Sequence, residues 1–483
     1  MVSIIHKFLS FHHEIELGRS DLDRLYPRVT IDKLPDDVLL EIFYASVARC
    51  QVGDRKPKEF EDRWRTLVHV CKRWRSVVFA SPRRLDLQLF YTNRTPVKKL
   101  LDIWPPLPIY IQAFHDVGKS PMRGVTNLMA ALEQQNRVRG ICVRGAPNLL
   151  LKHFVAMKPF PALTILILTS NDEKAPAFPD SFLGGSAPRL REIWLRGIPF
   201  PGIGKLLLSA ADLVTLYLWD IPHSGYISPE AMVASLSTLT RLEELGLEFR
   251  SPRSRAAREN THPFALSRVV LPALTRLRFK GDSEYAEDIM SRIDAPLLHN
   301  MDITFFNQLV FETPQLRHFI SHTGILRAPD CARICFDDDS VTVHPSLMVS
   351  FRILCEPSDW QLSSLSQLYN SALSPLPTLE RLEIENRKYW EDDMENVQWL
   401  ELLRLFPSPK DLVLSNKSFR LVAPALNEAD GESTTRVLPA LQDVILQEPL
   451  EPPNKAIGVF IATRRLLGSP ITVQHRHGIG QDR

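Results

Sequence analysis

The chain has 483 residues, of which 44% are hydrophobic and 24% charged, and its formal net charge is +2. This length exceeds one ordinary compact core and favours several domains or an elongated repeat, while the composition is that of a folded protein. The near-balance of charge excludes the long basic field that nucleic-acid binding needs. Six cysteines in so long a chain exclude a disulfide scaffold.

The N-terminal stretch does not have the pattern of a secretory signal peptide, so we expect none there. Charged and histidine side chains at His6, Lys7, Glu14 and Glu16 interrupt its apolar residues. No apolar run anywhere approaches the roughly 18 residues of a membrane-spanning helix. We therefore expect a protein without membrane partners in a reducing compartment, either the cytoplasm or the nucleus.

Near residue 34, a leucine–proline pair precedes a short amphipathic helix. Pro35 suits the first helical position because its φ is fixed and no N–H is needed there. Asp36 and Asp37 follow in the first turn, where carboxylates oppose the positive end of the helix dipole. Apolar residues then recur on one helical face, as Val38, Leu39, Ile42 and Phe43.

A second amphipathic helix follows, which contains Val70, Cys71 and Trp74 and ends where Ser81-Pro82 forces the backbone out of the α region. Two helices this short cannot bury both apolar faces against each other. Each large apolar side chain left in water forgoes about 1.5–3 kcal/mol. The sequence thus predicts a helical unit that needs a partner surface.

The order of Leu34-Pro35, a helix, Cys71-Lys72-Arg73-Trp74 and Ser81-Pro82 resembles an F-box, over residues 31–85. A charged insert at 49–63 departs from the family pattern, and an ordinary helical hairpin is the alternative interpretation. The resemblance implies docking onto the Skp-type adaptor of a cullin-based ubiquitin ligase. The adaptor-binding residues that it implies are Leu34, Pro35, Leu39, Ile42, Phe43, Val70, Cys71 and Trp74.

From residue 138 onward, the apolar phrase Leu-x-x-Leu-x-Leu recurs. Successive copies are 25, 27, 23, 29, 32 and 24 residues apart, which is the slightly stretched period of leucine-rich repeats. The last two apolar positions of each copy share one face of a strand, and the copies must stack to share a core. The first positions are Val138, Leu163, Leu190, Leu213, Leu242, Leu274 and Leu298.

Helical candidates lie between these strands, for example at 204–210 and 229–236, so the repeat is a right-handed β-α crossover. Between Leu316 and Leu379 the phrase degrades, although 332–336, 341–343 and 351–355 still resemble strands.

The predicted fold class is α/β: an N-terminal helical F-box followed by an irregular leucine-rich-repeat-like solenoid with one curved parallel sheet and outer helices. The predicted domains are an N-terminal segment (1–30), the F-box (31–90), a connecting strand and helix region (91–136), the solenoid (137–450) and a capping helix with a tail (451–483).

Further phrases, including Leu101-Asp102-Ile103-Trp104-Pro105 and the segment from Phe182 to Leu190, resemble F-box proteins from mushroom-forming fungi. This resemblance covers nearly the whole chain. It implies the same architecture and supplies no known target.

The catalytic and metal-binding patterns tested fail their spacing rules. The segment 202–205 lacks the leading glycine and the hydroxyl residue of a phosphate loop. Zinc could take His318, His322, Cys331 and Cys335. However, Cys335 is predicted on a strand, where residues four apart are separated by over about 12 Å. We therefore expect no enzyme activity, cofactor or metal.

The sequence predicts a substrate-recognition subunit of a Skp–cullin–F-box ubiquitin ligase, whose F-box docks the adaptor and whose solenoid recruits an unknown protein target. The alternative is a leucine-rich-repeat-like protein-binding scaffold with no ligase role. The predicted roles of residues 1–30 and of the arginine-rich loop at 250–268 stay open.

Overall fold

A computed structural model describes most of the chain. The described ranges are 31–48, 64–92, 94–114, 124–155, 158–252, 268–308, 310–326, 329–355, 358–373, 379–387, 396–428, 437–447, 455–466, 468 and 470–475. The N-terminal segment, the charged insert at 49–63 and most of the arginine-rich loop lie outside these ranges.

Helices alternate with strands along nearly the whole described chain. The α-helices are α1 (Asp36–Ala48), α2 (Lys72–Ala80), α3 (Val97–Ile103), α4 (Val125–Leu132), α5 (Asn148–Val155), α6 (Ile203–Ser209), α7 (Pro229–Leu236), α8 (Ser283–Met290), α9 (Pro314–Thr323), α10 (Ser358–Leu368), α11 (Asn396–Arg404), α12 (Asn416–Glu428) and α13 (Lys455–Leu466). Residues 64–68 are also helical.

The strands are short and regularly spaced. They are β1 (Leu89–Tyr91), β2 (Ile109–Phe114), β3 (Val138–Arg144), β4 (Ile165–Thr169), β5 (Glu192–Arg196), β6 (Thr215–Ile221), β7 (Glu244–Phe249), β8 (Val269–Val270), β9 (Arg276–Gly281), β10 (Ile293–Asp294), β11 (Asn300–Phe305), β12 (Cys331–Phe336), β13 (Ser340–Ser346), β14 (Val349–Leu354), β15 (Arg381–Asn386), β16 (Asp411–Leu414), β17 (Asp443–Leu446) and β18 (Thr472–His475).

The chain divides into two compact units. The first contains Met1–Phe90 and Trp104–Ile109, and the second contains Tyr91–Ile103 and Tyr110–Arg483.

The core of the first unit is aromatic. The ring of Phe43 on α1 lies 4.7 Å from that of Trp74 on α2. Trp64 packs edge-on against both Phe79 and Trp104, with centroids 6.1 and 5.2 Å apart, and its indole N–H donates to the carbonyl of Gln88 at 3.1 Å. Such pairs add about 0.5–1.5 kcal/mol beyond their buried area.

The second unit is organised by one long sheet. Sixteen strands are bonded in the order β1-β2-β3-β4-β5-β6-β7-β9-β11-β14-β13-β12-β15-β16-β17-β18. From β3 to β7 and on to β9 and β11, neighbouring strands are parallel. The predicted α/β repeat with a long parallel sheet is therefore confirmed.

The apolar phrase fixes the register of these strands. Its second position forms one buried row across the sheet, since each member pairs with the next: Ile141, Leu166, Ile193, Leu216, Leu245, Leu277 and Met301. The helices cover this side of the sheet. For example, α8 packs on β9 and buries Tyr285, Ala286 and Ile289.

One strand departs from the predicted parallel sheet. β13 is antiparallel to both β12 and β14, whereas β14 is parallel to β11 and β12 is parallel to β15. The connections 337–339 and 347–348 are tight hairpins, and a parallel crossover needs about a dozen residues. The degraded segment was thus correctly predicted as strands, but the predicted parallel direction is wrong for β13.

The predicted helices at 204–210, at 229–236 and in the C-terminal region are present as α6, α7 and α13. Within the described residues, no helix has the length and apolarity that crossing a membrane requires.

The strands β12, β13 and β14 form two hairpins, which we call the inserted hairpins. We expect their buried side chains to belong to the same core as those of the neighbouring repeats. Phe351 on β14 is fully buried and pairs with Ile303 and Val343. Phe351→Ala should therefore lower the free energy of unfolding by about 3–5 kcal/mol, measured by urea denaturation.

Leu347, in the connection between β13 and β14, is fully exposed and supplies the control. Leu347→Ala should change stability by less than about 0.5 kcal/mol. Equal urea midpoints for the two variants would contradict this packing.

Candidate functional site

The first unit presents apolar side chains to solvent around the start of α1 and α2. Val38 and Ile42 share one flank of α1 because they are four residues apart, and Val70 lies just before α2. These side chains and Ile31 are between 39% and 49% exposed, and Pro35 and Cys71 are also exposed. We call this set the docking surface: Ile31, Pro35, Val38, Ile42, Val70 and Cys71.

The eight residues that the F-box resemblance implies differ in their exposure to solvent. Pro35, Ile42, Val70 and Cys71 are exposed, and Leu34 and Trp74 are half-buried. Leu39 and Phe43 are completely buried. A buried side chain cannot contact a partner without rearrangement, so these two support α1 and are removed from the predicted contact set. The apolar periodicity of α1 could not distinguish its buried residues from its exposed ones, because the apolar stripe is wider than the face of the helix that packs.

An arginine holds the two halves of the motif together. Arg73 on α2 donates through Nε and Nη2 to Asp36 Oδ1, at 2.9 and 2.7 Å, and through Nη2 to the carbonyl of Leu34. Cys71 caps α2, since its Sγ accepts from the Trp74 N–H at 3.5 Å. These contacts place Pro35 beside the start of α2, which brings the members of the docking surface together.

The second unit presents a different surface, on the side of the sheet opposite its buried apolar row. Trp194, Tyr217 and Trp219 from β5 and β6 form an aromatic cluster, with ring centroids 4.5 to 5.1 Å apart. Gly246 on β7 makes room for the Tyr217 ring, because a Cβ there would lie 2.0 Å from Tyr217 Cδ1. The indole Nε1 atoms of both tryptophans are buried without a hydrogen-bond partner among the described residues.

Polar contacts continue from this cluster across the same side of the sheet. The Tyr217 hydroxyl donates to Glu244 Oε2 at 3.0 Å, and Arg276 binds Glu244 Oε1 at 2.7 Å. Further ion pairs join neighbouring strands at 2.6 to 3.4 Å: Arg196–Asp220, Arg278–Asp302, Arg333–Glu383 and Arg381–Asp411. Exposed pairs of this kind contribute little stability each, but they hold long side chains in fixed positions.

Burial shifts several pKa values on this side of the sheet. It raises the pKa of Glu248, although Arg278 and Lys280 oppose the shift. It also raises the pKa of the Cys335 thiol to about 11, with a further contribution from Glu385. The Cys335 thiol is therefore protonated at neutral pH, which makes it a poor nucleophile.

The residues considered for zinc lie on separate elements. His318 and His322 stack on α9 with ring centroids 6.1 Å apart, while Cys331 and Cys335 lie on β12. Over the described part of the chain, no group of three or more potential metal ligands is present.

No protein-family model matches this sequence, and a search of curated proteins found no match. Among solved structures, one similar chain comes from a "Crystal structure of TLR13-ssRNA13 complex". It has 13% sequence identity and a TM-score of 0.25, over 80% of this chain and 48% of that chain. The present chain thus spans about half the length of that structure. The fold assignment rests on the strand register and burial described above.

The pKa of Glu248 predicts a pH dependence of stability. Since burial raises this pKa above the ordinary value of 4.5, the folded chain binds the proton more tightly than the unfolded chain. The free energy of unfolding should therefore fall as pH rises from 4.5 through the raised value. Glu248→Gln removes this loss, so its urea midpoint should exceed that of the wild type at pH 7, and the difference should close by about pH 4.

The exposed Glu243, just before β7, controls for the change in net charge. Glu243→Gln should not reproduce the gain at pH 7. A Glu248→Gln variant with the same midpoint as the wild type at both pH values would contradict the assigned burial effect.

Proposed function

We propose that this chain is the target-recruiting subunit of a Skp–cullin–F-box ubiquitin ligase. The observation that carries the proposal is the docking surface. Its large apolar side chains stay exposed although α1 and α2 fold together, and they coincide with the motif that resembles an F-box.

The energetics favour a protein partner for this surface. Contiguous exposed apolar side chains commonly mark interaction sites, and burying a large apolar side chain contributes about 1.5–3 kcal/mol. The Arg73–Asp36 contact and the packed Phe43–Trp74 pair pre-organise the surface. A rigid surface loses less conformational entropy on binding, and a Skp-type adaptor that leads to a cullin is the partner that the motif implies.

In this proposal the second unit recruits the target. Tryptophan and arginine are enriched in protein-binding hot spots. The half-buried Trp194 and Trp219, with the neighbouring Arg196–Asp220 ion pair, offer such side chains on one side of the sheet, and the buried Tyr217 packs against both tryptophans. The chain itself would perform no chemistry. It would hold the target near a separate conjugating enzyme, where proximity raises the effective concentration of the reacting groups.

The docking surface predicts a specific loss of adaptor binding. A variant with Val38→Asp and Ile42→Asp places two charges in the surface without entering the core, since both side chains are exposed. Binding of a purified Skp-type adaptor, measured by titration calorimetry, should weaken at least about tenfold, which corresponds to about 1.4 kcal/mol.

Leu208→Asp is the matched control, because Leu208 is an exposed leucine on α6 of the second unit. It should bind the adaptor like the wild type. Undiminished binding by the Val38/Ile42 variant, with unchanged circular dichroism, would reject the docking assignment.

A protein-binding scaffold without a ligase role is the second candidate. The aromatic cluster favours it, because this cluster belongs to the second unit and requires no adaptor. Proximity labelling with the whole chain and with the Val38/Ile42 variant separates the two. A ligase subunit should change the level of its labelled target when the docking surface is altered, and a scaffold should not.

A further inference from the structure

A groove of about 490 Å³ opens on the solvent-facing side of the sheet, where β3 to β6 begin. Three arginines line it, together with Tyr110, Thr164 and Glu192. We call it the arginine groove, after Arg139, Arg189 and Arg191.

Backbone hydrogen bonds fix the positions from which these side chains extend. The Thr164 N–H donates to the carbonyl of Arg139, and the Arg191 N–H donates to the carbonyl of Thr164, each at 2.8 Å. Arg139 and Arg191 therefore lie two strand spacings apart, or roughly 10 Å. Gly140 lets the Tyr110 ring lie across the start of β3, because a Cβ at Gly140 would be 2.3 Å from Tyr110 Cδ1.

The groove differs from the rest of the sheet in its charge pairing. Several arginines elsewhere on this side pair with carboxylates of the neighbouring strand, as in Arg196–Asp220 and Arg276–Glu244. Of the two carboxylates that line the groove, Asp212 pairs with Arg241 at 2.8 Å. The side chains of Arg139, Arg189 and Arg191 are exposed and form no ion pair among the described residues.

The other carboxylate, Glu192, forms no ion pair with the three arginines among the described residues. Burial raises its pKa, and the charge of Glu244 raises it further. Three arginines thus line the groove against two carboxylates, one of which is already paired with Arg241.

We propose that the arginine groove binds a phosphate monoester. Guanidinium groups match phosphate oxygens in a bidentate geometry. In the Arg196–Asp220 and Arg276–Glu244 pairs one carboxylate takes one arginine, whereas three arginines suit a dianion with three acceptor oxygens. The phosphate has two possible sources, a phosphorylated side chain of a protein or a small phosphorylated molecule. The proposal does not rest on the ligase role, because the groove lies within the second unit.

The test uses the purified whole chain and titration calorimetry with inorganic phosphate, phosphoserine and sulfate at constant ionic strength. We expect saturable binding of phosphate and phosphoserine. A variant with Arg189→Gln and Arg191→Gln should bind both at least tenfold more weakly, and Arg139→Gln should also bind them more weakly. Arg333→Gln is the matched control, because Arg333 lies on the same side of the sheet but pairs with Glu383. It should bind like the wild type.

Glu192→Gln gives a test of opposite sign. It removes a negative charge from the groove, so phosphate binding should become tighter while the arginine variants weaken it. Serine-phosphorylated peptides and small phosphate esters, compared at equal concentration, then identify the source. Tighter binding of either class supports the site.

The proposal is overturned if neither phosphate nor phosphoserine binds saturably up to 10 mM. It is also overturned if Arg333→Gln weakens binding as much as the Arg189/Arg191 variant. Adaptor binding by the same proteins is measured separately, so failure of the groove and failure of the docking surface are distinguishable.

Discussion

The second unit depends on one constraint: no strand of the sheet can bury its own apolar residues. Leu166, Ile193 and Leu216 are withdrawn from water only because each lies beside the corresponding residue of the next strand and under the intervening helices. A slip of one residue would turn every buried side chain toward solvent. The apolar row therefore sets the register for everything else on the sheet.

The same register arranges the polar side of the sheet. Residues that precede or follow the buried positions form rows of their own, which is why Arg276 meets Glu244 and Trp194 meets Tyr217. The side chains that meet on this surface come from residues about 25 positions apart in the chain, at equivalent positions of neighbouring repeats. The first unit follows a different logic, in which Arg73 and an aromatic core hold two short helices and leave one flank of α1 exposed.

The sequence predicted much of this fold because the apolar spacing reports directly on which side chains are buried. The prediction failed where residues with the same apolar spacing differ in burial. Phe43 and Ile42 are adjacent members of one stripe, yet one packs on Trp74 and the other is exposed. β12 to β14 are strands as predicted, but β13 runs antiparallel to its neighbours, because the connections on either side of it are too short for a parallel crossover.

The arginine groove was missed although the sequence contains a signal for it. Arg139, Thr164 and Arg191 each come directly after the first apolar position of a repeat phrase. Alignment of the repeats on their leucines would have placed these residues side by side. The signal lies in the polar positions between the leucines, and the spacing of the leucines carries no information about these positions.

The inserted hairpins obey a rule of parity. β14 runs parallel to β11 and β12 runs parallel to β15, with β13 reversed between them. Strands joined by hairpins alternate in direction, so an odd number of them is needed for both outer strands to lie parallel to the flanking repeats. Removal of one strand from this hairpin-joined set would leave two strands that run in opposite directions, so one of them could not lie parallel to its flanking repeat.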